Sequence, residues 1–274
     1  MAEARGPGRT RAWALAACLL APVPAAAAGT GSAVDHSPWQ SFLARYLDTS
    51  AADGVNRLRY GTVTAADRQG LEAYLRALQA VKPSALDRRE GLAYWINLYN
   101  AQTVDVVLRH YPVASIRDIA LDTSHRKAGP WDARLLKVEG RALSLNDIEN
   151  SILRPQWKNN LVHFALNCAS LGCPDLAPQA YTAANSDRLM RRGAAGFINS
   201  PRGAEFTGTG LRLSSLFDWY RDDFGKNERQ VLEFLSAHAR PGHRDSLLAY
   251  SGHVDYAYDW RLNDAPAGSP RKTR

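Results

Sequence analysis

The sequence predicts an α+β fold: a mostly helical single domain with short β-hairpins and a small antiparallel sheet. Three observations point there. Stretches with apolar residues at three- and four-residue spacing alternate with short period-two segments. Turn signals (Glu139-Gly140, and Gly208 with Gly210) sit inside two of those segments. No strand–helix unit recurs as it would in a parallel βαβ sheet.

Taken in order, Pro38 and Trp39 open an amphipathic helix running to about Asp48. Thr64 is an N-cap for a helix to about Ala80, its apolar face formed by Leu71, Leu75 and Leu78. Ser84 or Asp87 opens a longer helix through Tyr111, ended by Pro112. Leu135 to Leu143 reads as a hairpin about Glu139-Gly140. Ser144 to Asp147 caps a helix to Leu153, stopped by Pro155. Asp187 to Asn199 is helical, Glu205 to Leu213 is a second hairpin, and Asn227 to Ala239 is the last helix. Val254 to Leu262 is a final extended segment.

The chain has 274 residues and opens with Arg5, Arg9 and Arg11 before an apolar run from Ala12 to Leu20. Pro22-Val23-Pro24 and Ala25 to Ala28 follow. This is the pattern of a secretory signal peptide cleaved near Ala28, too short and proline-broken to span a bilayer. A periplasmic or secreted protein is expected. Residues 29–37 read as a disordered leader, 38–263 as the domain, and 264–274 as a disordered basic tail. The formal net charge of +7 drops to about +5 once residues 1–28 are removed. That excess is scattered, and no nucleic-acid-binding motif accompanies it. No cofactor is implied. The expected ligand is a small molecule, a peptide or an envelope polymer.

The segment from His163 to Pro174 places one imidazole and the two thiols outside the leader, Cys168 and Cys173, among small residues. Upstream, Asn97 and Asn100 lie three apart inside the long helix, where asparagine is a poor helix former. Their amides either tie down neighbouring loops or orient a catalytic imidazole or oxyanion. Glu90, seven residues before Asn97, points to a similar face.

The helix segment Glu90 to Ala101, Tyr111-Pro112 with Ser115-Ile116, Leu143 to Glu149, His163 to Pro174 and Tyr258 to Asn263 together resemble the DUF547 family. The resemblance runs from about Val55 to Asn263. It implies membership of a family found in bacteria, often as exported proteins, and in plants. It implies no activity, the family being named for lacking one. It ties Asn97, Asn100 and Asp259 to the cysteine segment as positions able to complete a site.

Three chemistries fit that segment. In a cysteine-dependent hydrolase or acyl transferase, Cys168 is the nucleophile. His163 is its nearest imidazole, yet five residues apart on a regular strand or helix the two face apart. The chain must bend near Asn167, or His253 must serve, with Asp259 orienting either ring. Some permuted thiol-peptidase folds also place the histidine before the cysteine, an analogy of fold alone. The second chemistry is a Cys168–Cys173 disulfide in a non-catalytic binding or structural module, with His163 an ordinary buried histidine. The third is a zinc site on His163, Cys168 and Cys173. His110, His125, His238 and His243 belong to no comparable constellation. Ser144 to Glu149 reads as a capped helix start, and Phe217, Trp219, Tyr220 and Phe224 as aromatic packing beside an acidic turn.

Overall fold

The computed structural model describes residues 1–3, 34–121 and 129–265. Residues 4–33, which include most of the expected signal peptide and leader, His125 and the tail beyond residue 265 lie outside the described residues. The chain divides into two units, Met1–Gly31 and Ser32–Arg274, and the second is described below.

Helix α1 (Ser37–Tyr46) is followed by a two-residue ladder of β1 (Leu47–Asp48) with β2 (Arg57–Leu58), then α2 (Ala65–Ala80) and α3 (Arg88–His110). The hairpin of β3 (Leu136–Val138) and β4 (Arg141–Leu143) leads into a π-helical turn at Asp147–Leu153 and the short α4 (Arg154–Trp157). A 3₁₀ turn, Asn160–Phe164, precedes the cysteine loop. Then come α5 (Ser186–Ile198), β5 (Ala204–Thr207), β6 (Gly210–Ser214), α6 (Leu216–Trp219), α7 (Arg221–Phe224), α8 (Glu228–His238), α9 (Pro241–Ala249) and β7 (Val254–Ala257). This is the mostly helical α+β domain predicted, with sheets of two or three strands.

Local chemistry explains the boundaries. The Thr64 side chain accepts from the Asp67 N–H, Asp87 from Arg89 and Glu90, and Asn227 from Gln230, each filling orphan donors at a helix start. Glu139 (φ 48°) and Gly140 (φ 78°) supply the left-handed pair of a tight β3–β4 turn.

Helix α3 is the axis of the molecule. Every residue from Gly91 to Leu108 is buried, so the helix has no solvent face and its polar residues meet protein on all sides. One continuous apolar core surrounds it, reaching from Trp39 on α1 to Leu262.

Several boundaries differ from expectation. Val34 to Ser37 are not a loose leader: the Val34 N–H donates to Glu90 Oε1 at 2.9 Å, and His36 is buried with Nδ1 2.7 Å from the Tyr74 hydroxyl. Asp264 and Ala265 are likewise held, by Tyr111 (2.7 Å to the Asp264 carboxylate) and the Leu58 carbonyl (2.9 Å). Pro155 does not stop the helix. The wide register ends where the Arg154 N–H reaches the Glu149 carbonyl, and Pro155, having no N–H to satisfy, starts the next turn. Lys158, left-handed at φ 49°, ends it. The three-stranded sheet is mixed, since β7 runs parallel to β6. The intervening α6 to α9 form a crossover long enough for parallel pairing.

Candidate functional site

The cysteine loop is built by its own polar side chains. The Asn167 side chain accepts from the Ala169 N–H (3.0 Å) and donates to the Pro174 carbonyl (2.9 Å), folding the chain back and carrying Ala169 at φ 62°. The C-terminal segment then straps the loop. Leu171 N–H donates to the Arg261 carbonyl, Gly172 N–H to Asp259 (both 2.8 Å), and Asn263 N–H to Ala169 (3.0 Å). Gly172 is required there: a Cβ would sit 2.7 Å from the Asp259 nitrogen. Cys168 and Cys173 are disulfide-bonded across this loop, their Cα atoms 6.2 Å apart. Cys173 is buried and Cys168 half-buried. The Tyr258 hydroxyl lies 3.1 Å from both sulfurs, and Ser170 Oγ lies 3.2 Å from Cys168.

The 3₁₀ turn before the loop delivers His163 into the core. Its Nε2 is 2.7 Å from Asp223 Oδ2, and Arg154 Nε holds the same carboxylate oxygen at 2.6 Å. On the other side Nδ1 faces Glu149 Oε1 at 3.5 Å, an ion-pair separation longer than a good hydrogen bond. Burial alone pushes the imidazole down, but the Asp223 and Glu149 carboxylates outweigh it and the net direction is up. Asp223 is correspondingly held well below the usual carboxylate range, first by His163 and then by Arg154.

Glu149 sits in the π-helical turn, a geometry frequent where a helix serves a site. It is buried beside the phenols of Tyr99 and Tyr220, both pushed upward, chiefly by burial and then by the Glu149 charge. Glu149, His163, Cys168 and Tyr258 all border one cavity of about 210 Å³. Aromatic rings form its mouth. Trp219 stacks on Trp260 (centroids 5.5 Å, 27° between planes), Tyr258 packs against both, and Trp131 meets Trp260 edge-on. Trp219 is half-exposed.

The structure therefore brings together two of the expected residues, His163 and Cys168, on one cavity wall, without turning either ring nitrogen to the sulfur. Asn97 and Asn100 do not enter the site. Asn97 donates to the Tyr181 carbonyl (2.8 Å) and accepts its N–H (3.0 Å). Asn100 does the same with Ala165 (2.8 Å) and Asn167 (2.9 Å). These amides tie down loops because α3, buried all round, needs partners for them. Glu90 anchors Val34 instead of the site. Asp259 orients no imidazole: it faces Arg261 at 2.5 Å, and that guanidinium holds its carboxyl below the usual range. His253 is exposed, 3.1 Å from Asp255. The zinc arrangement is not formed, since the sulfurs bond each other and the imidazole faces carboxylates. Among the described residues no group of three or more His, Cys, Asp or Glu is gathered to hold a metal ion.

Four residues escaped the sequence reading as site members: Glu149, Asp223, Tyr220 and Tyr258. Glu149 had a signal, an acidic residue in the first turns of a helix between the apolar positions Ile148 and Ile152. Asp223 had only its place among three acids near aromatics.

Among the described residues no helix is long and apolar enough to cross a membrane. Searches of curated proteins and of solved structures give no match. Residues 83–198 match the family described as "Protein of unknown function, DUF547". That span holds α3, the π-helical turn, His163 and both cysteines of the loop, and ends before the Tyr258–Asn263 strap. Residues 83–198 are thus the part of the chain that is similar to the DUF547 family.

Proposed function

We propose that this chain is an exported, non-catalytic binding module, and that its ligand site is the cavity between Glu149 and the tryptophan mouth. The Cys168–Cys173 disulfide is then part of the cavity wall. One observation carries this reading. Cys168 and Cys173, which both border the cavity, are bonded to each other, and both nitrogens of the only imidazole among the described cavity residues face carboxylates. A thiol nucleophile needs a free thiolate and a base within reach, and neither is arranged here. Export is supported by the basic and apolar N-terminal stretch, and an oxidising compartment favours the bridge.

The test is mass spectrometry of the native protein with and without a thiol alkylator. No labelled cysteine before reduction and two after it are expected for the mature chain. One cysteine labelled in the native protein overturns the reading.

A second reading, a cysteine-dependent hydrolase or acyl transferase active in the reduced form, draws on one contact set. The Tyr258 and Ser170 hydroxyls lie within 3.2 Å of Cys168 Sγ and would donate to a thiolate formed there.

A further inference from the structure

We infer that the cavity takes an organic cation, an ammonium or guanidinium group carried on an apolar or aromatic body. The inference rests on the binding-site reading above.

The argument starts from charge. The protein is basic, with 34 Lys and Arg against 27 Asp and Glu. Among the described residues bordering this cavity, however, there is no Lys or Arg, while Glu149 and Asp132 are acidic. His163 is the only residue there able to add a positive charge. Its Nε2 is committed to Asp223 at 2.7 Å, outside the lining. Whether the ring is protonated or neutral, the described lining residues sum to net negative charge. A carboxylate or phosphate ligand would meet that repulsion together with the desolvation cost of an unpaired anion.

The walls fit the same occupant. Tyr258, Trp219 and Trp260 present aromatic faces around the opening, and their quadrupoles attract a desolvated cation. Arg117 already lies over the Trp260 ring, its guanidinium carbon 5.0 Å from the centroid, without bordering the cavity. His163 Nδ1 is buried 3.5 Å from Glu149 Oε1, and the Tyr99 and Tyr220 hydroxyls are the carboxylate's other neighbours. With two oxygens and about four lone-pair sites, that carboxylate keeps acceptor capacity for an incoming donor.

The experiment is isothermal titration calorimetry of the mature protein with benzylamine, benzyl alcohol, benzoate and N-acetylglucosamine as probes. Benzylamine is expected to bind at least about tenfold more tightly than benzyl alcohol, with benzoate weakest. Glu149→Gln should abolish that preference. Trp219→Ala, a change at a half-exposed residue that spares the core, should weaken benzylamine about three- to fivefold. If benzyl alcohol or N-acetylglucosamine binds as well as benzylamine, the cation assignment is overturned while the cavity remains a binding site. If no probe binds, both readings fail. Equal benzylamine affinity in wild type and Trp219→Ala also overturns the assignment.

Discussion

Asn97 and Tyr181 are joined as two strands of a sheet would be, with a side-chain amide standing in for one backbone. The Asn97 Nδ2 donates to the Tyr181 carbonyl at 2.8 Å, and the Tyr181 N–H returns to Oδ1 at 3.0 Å. Both residues are fully buried, so neither main-chain group has water as an alternative. Asn97→Ala is expected to lower the unfolding free energy by about 2–4 kcal/mol, because two buried groups lose their partners. Urea denaturation followed by far-ultraviolet circular dichroism measures this. A loss under about 0.5 kcal/mol, the range of an ordinary surface substitution, would show that the pairing is dispensable.

Gly172 offers a steric test of the strap. A Cβ there would approach the Asp259 nitrogen to 2.7 Å and its carbonyl oxygen to 3.0 Å, both backbone atoms with little room to yield. Gly172→Ala should destabilise by about 1–3 kcal/mol. It should also speed amide hydrogen exchange at Leu171 and Asn263, whose N–H groups bind across the same seam. Unchanged exchange at both positions would refute the close approach.

The disulfide closes a short loop, five positions from Cys168 to Cys173. Loop-closure entropy for so small a ring is about 2 kcal/mol. Reduction, or Cys173→Ser in the folded protein, is expected to lower the thermal midpoint accordingly, leaving helix content intact. Calorimetry with and without reductant gives the comparison.

Two buried histidines set opposite pH limits. Burial lowers His36 from the ordinary 6.5 to about 4, so the unfolded chain binds the extra proton first as pH falls. Stability from His36 is present above 6.5 and lost as pH drops towards 4, by about 3 kcal/mol in full. His163 is shifted the other way. Its contribution is complete below the ordinary imidazole value and fades as pH rises through its elevated folded value. His36→Gln should flatten the acid side of the stability profile. Asp223→Asn should bring the His163 titration, followed by the ring protons in NMR, to lower pH. A His163 titration that stays put in Asp223→Asn would show that the 2.7 Å contact does not govern it.

Much of the fold was readable because its signals are local. Thr64 caps the helix it was expected to cap, Asp87 rather than Ser84 caps the long one, Asn227 stands at the start of its helix, and Glu139-Gly140 makes its turn. Helix α9 went unread because its apolar stripe is thin, with Leu247 its only buried residue. The cysteine segment borders the cavity and the chain bends near Asn167, yet His163 meets Asp223, sixty residues away. Such a partner has no local signature. Nor does the π-helical register that carries Glu149, since its buried Ile148, Ile152 and Leu153 are spaced as they would be in an α-helix. Asn97 and Asn100 were visible as anomalies. Their partners were not, because buried helix faces look alike in sequence whether they meet a ligand or a loop.

The strap that pairs Arg261 and Asp259 with Leu171 and Gly172 also orders events in time. Glu149 and His163 leave the ribosome roughly a hundred residues ahead of Tyr258 and Trp260. The early part of the chain holds half a cavity, open on the side where the tryptophans later arrive. Closure of the cavity is therefore a property of the finished polypeptide. A chain cut short before Tyr258 would lack both the Tyr258 and Trp260 wall of the cavity and the backbone bonds that strap the cysteine loop.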